Sequence, residues 1–198
     1  MPLSTSLTLI DKLRIRDNEG WGRFVRLYTP LILTWARETG LQDFDCETAV
    51  SDVFVAVIEG IHRFQPGTFR GWLRRITLYK AADCHRRNTR QPSDLSSHYD
   101  ISDVKEFDTW GDGDNQSSQK YWEETQLLYS HAVRMICEGS ENGPQQWNIV
   151  KKTLIEGVRV EDVAKEFGYE PNSIYKLRTR VLDRLQRDFR SLIQPDGE

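Results

Sequence analysis

Apolar residues recur with the three- to four-residue spacing of amphipathic helices in three stretches near the start of the chain. The stretches cover residues 21–35, 46–61 and 69–80, and none of them alternates with the period of two that a half-buried strand needs. Pro30 lies inside the first stretch. Because proline removes a backbone donor, we expect a break or kink near Thr29. The pattern predicts a helical domain without a sheet.

Residues 91–120 have a different composition, rich in Ser, Asp and Gly and without sustained periodicity. Such a composition is typical of a flexible linker. Helical periodicity returns from Tyr121 onward. The predicted fold class is therefore all-α, with two small helical domains at residues 6–90 and 126–193 joined by a flexible acidic linker at residues 91–125.

A segment near the C-terminus has the spacing of a helix-turn-helix. Ala164 is a small residue over which a second helix can cross, and Gly168 tolerates the positive φ of a tight turn. Ile174 is an apolar residue that anchors the second helix in the core. Any antiparallel helix pair can show these offsets, so a DNA-binding motif and a plain helical hairpin both stay open at this point.

The second helix of this motif is expected to begin near Pro171, with Asn172 or Ser173 as its N-cap. Four cations are expected on roughly one face, away from the apolar stripe: Lys176, Arg180, Arg184 and Arg187. In a DNA-binding helix-turn-helix, the N-terminal residues of this helix enter the major groove and the flanking cations contact phosphates. The alternative is a basic face that is only solvated.

The distribution of charge is more informative than the net charge of −3. Residues 61–90 contain eight Lys or Arg against one acid, and residues 91–120 contain seven acids against two Lys. Residues 171–190 contain six Lys or Arg against two acids. Two basic segments separated by an acidic one indicate a nucleic-acid partner, although the net charge does not.

Composition excludes several classes of protein. No run of about 18 apolar residues is present, and the N-terminus lacks the order of a secretory signal, so we expect a cytoplasmic protein with no membrane partner. The three cysteines are far apart, which fits buried thiols in a reducing compartment. No nucleophile, metal-binding or phosphate-binding motif occurs, so we expect no enzymatic activity, no metal and no cofactor.

The basic segment and the helix before it carry a family resemblance. Residues 45–87 resemble the second conserved region of RNA polymerase sigma factors of the sigma-70 family, in the extracytoplasmic-function group. The residues that match the acidic helix of this region are Asp45, Glu47, Asp52, Val53 and Phe54. The residues that match its basic helix are Phe69, Arg70, Trp72, Leu73, Arg75, Ile76, Asp83, Arg86 and Arg87. The helix-turn-helix is similar to the family's fourth region, and the two segments occur in the family's order.

The resemblance implies three groups of binding residues. For the clamp of core RNA polymerase they are Asp45, Glu47, Asp52 and Phe54. For the −10 promoter element they are Arg70, Arg74, Tyr79, Lys80, Asp83, Arg86 and Arg87. For the −35 element they are Asn172, Ser173, Tyr175, Lys176, Arg178, Thr179 and Arg180.

The function implied is promoter-specific transcription initiation, with core RNA polymerase and promoter DNA as partners. The alternative is a two-domain helix-turn-helix regulator that acts without core polymerase. An anti-sigma factor is an open question, since the sequence does not reveal one. The acidic linker either follows the RNA exit path of the polymerase, as in the family, or is a solubilising tether.

Residues 61–90 also contain four aromatic residues, each of which lies either in the core or on the surface. Phe64, Phe69 and Trp72 are expected in the core. Tyr79 is undecided between the core and a surface position where it stacks on an unpaired base, a contact typically worth about 1–3 kcal/mol.

Overall fold

The computed structural model describes residues 9–64, 69–89 and 118–193 of the 198-residue chain. Every regular element in these ranges is helical, which confirms the all-α prediction. In chain order the elements are α1 (Leu9–Arg14), α2 (Asn18–Glu38), α3 (Asp43–Gly60), a 3₁₀ turn (Ile61–Arg63), α4 (Phe69–Thr89), α5 (Ser118–Glu138), α6 (Gly143–Val150), a π-helical turn (Lys151–Ile155), α7 (Val160–Phe167) and α8 (Pro171–Ile193).

The described helices form two compact units. The N-terminal unit spans Leu13–Trp122, and the C-terminal unit spans Glu123–Pro195 together with residues 9–12. The domain limits of 6–90 and 126–193 remain predictions, because these units are defined by packing alone.

The flexible linker predicted at residues 91–125 lies only partly within the described ranges. Residues 91–117 are outside them. Helix α5 begins at Ser118, so residues 118–125 are helical. The periodicity from Tyr121 predicts helix for residues 121–125, and the prediction of a flexible segment is wrong for residues 118–120.

Contacts within the N-terminal unit explain why α5 begins at Ser118. Lys120 Nζ donates a hydrogen bond to Glu38 Oε2 of α2 at 2.6 Å. The guanidinium carbon of Arg70 in α4 lies 3.9 Å from the ring centroid of Tyr121. A cation over an aromatic face is attracted to it by roughly 0.5–2 kcal/mol. Tertiary contacts of this kind do not appear in hydrophobic periodicity, so the sequence pattern does not predict them.

Helices α2, α3 and α4 pack around a core that has aromatic rings at one end. Phe24 and Phe69 are buried, with ring centroids 5.9 Å apart. The rings whose centroids lie 5.2–5.6 Å from one of these two belong to Trp21, Tyr28, Phe54, Phe64 and Trp72. We call these seven residues the aromatic cluster. Phe69 is buried, which confirms its predicted core position, whereas Phe64 and Trp72 are partly buried at the edge of this cluster.

The other end of this core is made of small side chains. A cluster of buried residues there consists of Ala36, Leu41, Cys46, Ala49, Ala81 and Cys84. We call it the small-residue cluster. Alanine and cysteine let helix axes approach more closely than aromatic residues do, since interaxial distance follows the side chains at the contact.

Helix α2 continues through Pro30 from Asn18 to Glu38, so a break near Thr29 is wrong and a kink stays a prediction. A proline inside a helix costs about 3 kcal/mol. Leu31 and Ile32 beside it are fully buried, and burying each such side chain contributes about 1.5–3 kcal/mol. The core contacts on one face of α2 therefore offset the lost backbone hydrogen bond.

The C-terminal unit contains the predicted helix-turn-helix. Ala164 and Ile174 are buried in one cluster, and Gly168 has φ +71°. The amide N–H of Tyr169 donates to Ala164 O at 2.9 Å, which closes the end of α7. The roles predicted for Ala164, Gly168 and Ile174 are confirmed.

The start of α8 differs from the expected cap. The helix begins at Pro171, so Asn172 and Ser173 lie in its first turn and not before it. Both side chains are exposed. The prediction that one of them is the N-cap is wrong, because proline takes the first helical position, where its missing N–H costs nothing.

The three cysteines are free and buried, as expected. Burial raises the pKa of the Cys46 and Cys84 thiols, and it raises the pKa of Cys137 to about 11. All three are therefore neutral thiols near pH 7, which suits packing rather than chemistry.

Replacing Gly168 with Ala should lower the free energy of unfolding by about 1–2 kcal/mol, because an L-residue is strained at φ +71°. Denaturant unfolding of the full chain measures the effect. The matched control is Gly22→Ala in α2, where no atom lies within 4 Å of the added methyl group. There the change should stabilise by up to about 1 kcal/mol, because alanine is the better helix former. Equal effects of the two substitutions would contradict the assigned turn.

The cysteines should react with an aromatic disulfide reagent at pH 8 only after unfolding. At that pH roughly one Cys137 thiol in a thousand is ionised, and the thiolate is the reactive form. Absorbance in native buffer and in guanidinium chloride measures the reaction. Rapid labelling of one thiol in the native chain would show that the packing around it is wrong.

Candidate nucleic-acid and protein interfaces

The outer face of α3 combines acids with exposed apolar side chains. Phe44 is 79% exposed and Val55 is 53% exposed. Asp43 at the start of this helix is exposed. The exposed residues that follow are Phe44, Glu47, Ser51, Val55, Ile58 and Glu59, and those from Phe44 to Ile58 recur at intervals of three or four. We call them the α3 outer face. Large exposed apolar residues beside charges are characteristic of a protein-binding surface.

Phe54 is not part of this face. Its ring is partly buried and lies edge-on to Phe24, with centroids 5.5 Å apart. The side chain is therefore placed to hold α3 on α2. Its predicted contact with polymerase stays a prediction that the geometry does not favour.

Two of the predicted polymerase-binding acids bond to α4 instead of pointing fully into solvent. Asp45 Oδ2 accepts a hydrogen bond from Asn88 Nδ2 at 2.9 Å. Asp52 Oδ2 accepts one from Arg87 at 2.7 Å. Glu47 is exposed, so the predicted acids divide into one on the outer face and two at the edge of the α3–α4 contact.

A charge network at the end of α4 surrounds Arg87. Asp83 lies 3.2 Å from Arg86 and 3.8 Å from Arg87, in addition to the bond between Arg87 and Asp52. The hydrogen bond with Asp52 is the main cause that raises the pKa of Arg87. Two acids and two guanidinium groups therefore balance one another in the isolated chain.

The predicted −10 residues lie on different sides of α4. At 100° per residue, Tyr79, Asp83 and Arg86 share one side, which we call the aromatic side of α4. The same spacing adds Trp72 and Arg75 to it. Arg70 and Arg74 fall on another side of the helix, in line with His85 and Asn88. A single groove that includes all the predicted cations is therefore not formed.

Tyr79 lies among cations on the aromatic side of α4. Its ring is partly buried, and its centroid is 5.8 Å from the guanidinium carbon of Arg86 and 5.9 Å from Nζ of Lys80. A partly exposed ring beside two cations can stack on a base while the cations contact phosphates. Because the hydroxyl oxygen of Tyr79 is buried while its ring is partly exposed, Tyr79 stays undecided between the core and a surface position.

The outward side of α8 forms one shallow surface. The residues that line it are Asn172, Tyr175, Lys176, Thr179, Arg180 and Asp183. Five of these six are among the predicted −35 residues. Ser173, which is exposed, and Arg178, which is partly buried, lie outside this lining.

Contacts with α7 and within α8 hold Tyr175 in place. Its hydroxyl donates to Glu161 Oε1 of α7 at 3.2 Å. The guanidinium carbon of Arg178 lies 5.9 Å from its ring, and Thr179 Oγ1 donates to its carbonyl at 3.1 Å. The tyrosine is 46% exposed, so it is oriented by the protein yet accessible to a partner.

Sequence reasoning missed the apolar part of the α3 outer face. Phe44, Val55 and Ile58 have the helical spacing of core residues, and only their exposure separates them from Val53 and Val57. The available signal was a helix apolar on more than one face, which exceeds what one buried stripe requires.

In the part of the chain that the structure describes, no group of three or more His, Cys, Asp or Glu side chains is placed to hold a metal ion. Among the same residues, no helix is long and apolar enough to cross a bilayer.

Comparison with known proteins assigns the N-terminal unit. Residues 24–91 match the family described as sigma-70 region 2. This segment of the chain is similar to sigma-70 region 2. The extracytoplasmic-function RNA polymerase sigma factor SigE of Mycolicibacterium smegmatis is 33% identical over 70 residues. Both findings confirm the resemblance to the sigma-70 family and to its extracytoplasmic-function group.

The similarity to this relative is local. It covers 35% of the present chain and 27% of the relative. Region 2 thus includes most of α2, all of α3 and all of α4, which are the helices that carry the α3 outer face and the aromatic side of α4.

Proposed function

We propose that the protein is a sigma factor, which binds core RNA polymerase and directs promoter-specific transcription initiation through −35 and −10 elements. The observation that carries the proposal is the presence, in one chain, of a sigma-70 region 2 and a helix-turn-helix with an exposed polar and basic surface. Core polymerase and promoter DNA are the partners, and the cytoplasm is where they meet. No described contact supports or opposes an anti-sigma factor.

In this proposal the α3 outer face binds polymerase. Val55 and Ile58 supply the apolar contact, and Glu47 supplies a charge that orients it. Asp45 and Asp52 flank the face at the contact with α4. The role of Phe54 is then indirect, since its packing on Phe24 fixes the position of α3.

The aromatic side of α4 is proposed to bind the melted −10 strand. Tyr79 stacks on an unpaired base, while Lys80 and Arg86 hold neighbouring phosphates. Arg70 and Arg74 lie on another side of α4, so they are assigned to phosphates of the flanking duplex. Four cations at different positions around one helix suit a strand and a duplex that diverge there. Asp83 and Arg87 act at the C-terminal end of the same helix.

The lining of the α8 surface is proposed to bind the −35 element. Asn172, Lys176 and Arg180 project from the first turns of α8, which in a helix-turn-helix enter the major groove. Tyr175 and Thr179 complete this surface, with Ser173 and Arg178 at its margins.

In vitro transcription with core polymerase on a pool of random promoter sequences tests the proposal directly. Specific transcripts should require both core enzyme and this chain, and the two should co-purify. A chain that binds duplex DNA tightly alone and never joins core polymerase would instead be a helix-turn-helix regulator.

Replacing Val55 with Asp should weaken binding to core polymerase at least ten-fold, because a charge replaces an apolar contact worth more than about 1.4 kcal/mol. Fluorescence anisotropy with labelled chain measures the affinity. The matched control is Ile15→Asp, since Ile15 is 63% exposed and lies outside α3. Both variants should melt at the wild-type temperature. Equal affinities of the two variants for core polymerase would remove α3 from the interface.

Replacing Arg180 with Ala should lower the salt dependence of −35 DNA binding by about one unit, because one phosphate contact is lost. Titrations at several KCl concentrations give the slope. Arg134→Ala is the control, because Arg134 is an exposed cation on α5 of the same unit. If both variants keep the wild-type slope, Arg180 belongs to a solvated face.

A further inference from the structure

One ion pair joins the two interfaces proposed for region 2. Asp52 and Arg87 are bonded at 2.7 Å, with 35% and 50% of their side chains exposed. The acid lies on the helix proposed to bind polymerase, and the guanidinium lies on the helix proposed to bind promoter DNA. Both groups are accessible to a partner, yet each is engaged by the other.

The carboxylates near Arg87 reduce its attraction to a DNA phosphate. Asp83 stands 3.8 Å from Arg87 on the same helix and 3.2 Å from Arg86. A phosphate that approaches this end of α4 meets two carboxylates together with two guanidinium groups. Attraction to a phosphate is therefore weak until one of the carboxylates is removed or occupied.

We propose that Asp52 is a coupling residue between polymerase docking and DNA binding. In the free chain its carboxylate holds Arg87. When polymerase engages Asp52, Arg87 is released and binds a phosphate of the promoter strand. This inference rests on the proposed function. It explains why the chain would bind polymerase before it binds promoter DNA through Arg87. By linkage, DNA bound to Arg87 strengthens polymerase binding at Asp52 by the same factor.

The test uses the full chain without polymerase and a fluorescein-labelled oligo-dT strand as probe. Asp52→Asn keeps the shape of the side chain and removes the charge that holds Arg87. It should tighten oligo-dT binding roughly five-fold at 100 mM KCl and steepen the salt slope by about 0.7, the value for one added phosphate contact on a single strand. Glu59→Gln is the matched control, because it removes the same charge from an exposed position of α3.

Two outcomes would overturn the proposal. The first is a gain in Asp52→Asn no larger than that in Glu59→Gln. The second is a gain that persists in the double variant Asp52→Asn, Arg87→Gln, since the released guanidinium is then absent.

Arg87→Gln alone gives a second arm. Because Asp52 and Asp83 are then left without this cation, oligo-dT binding by the free chain should weaken slightly, whereas promoter binding by the polymerase complex should weaken several-fold more. Equal weakening in both settings would show that Arg87 contacts DNA without release. The oligonucleotide assay contains no polymerase, so its failure is distinct from a failure of the wild-type chain to support transcription.

Discussion

The packing of α3 against α2 and α4 brings two acids of α3 into contact with polar groups at the end of α4. The small-residue cluster includes Ala49 of α3 and Ala81 of α4, whereas Phe54 and Phe69 meet the aromatic cluster at the other end. Small contacts allow helices to approach closely and rings hold them apart. Asp45 and Asn88 form a 2.9 Å hydrogen bond between these two helices. Together with the bond between Asp52 and Arg87, it joins acids of α3 to the polar groups of α4.

Much of this architecture could be predicted from local sequence. Helical periodicity locates the long helices, and the helix-turn-helix follows from three residues with distinct steric roles, Ala164, Gly168 and Ile174. These features depend on neighbours within one or two turns. Where tertiary contacts decide, local rules were wrong. Core contacts on the buried face of α2 offset the cost of Pro30. Glu38 and Arg70 contact the first turn of α5.

The candidate site was less predictable than the fold, for two physical reasons. Neighbouring apolar residues such as Phe54 and Val55 differ by 100° around the helix, and the sequence does not indicate which faces the core when both are apolar. The sequence also does not indicate which charged residues form ion pairs when they are far apart in the chain. Asp52 and Arg87 are 35 positions apart in the chain, yet they share a hydrogen bond. A count of cations in residues 61–90 therefore overstates the positive charge that α4 presents.

Charge placement also distinguishes the two proposed DNA-binding helices. The predicted cations of α4 are distributed around the helix, and Arg86 and Arg87 are balanced by acids. On α8, Lys176 and Arg180 lie on one exposed side with Asn172, near the start of the helix. A duplex presents a regular groove, so a helix that enters it needs its polar groups on one side. A melted strand has no fixed shape until it is bound, and cations around a helix can follow it. The two charge arrangements therefore suit two forms of DNA.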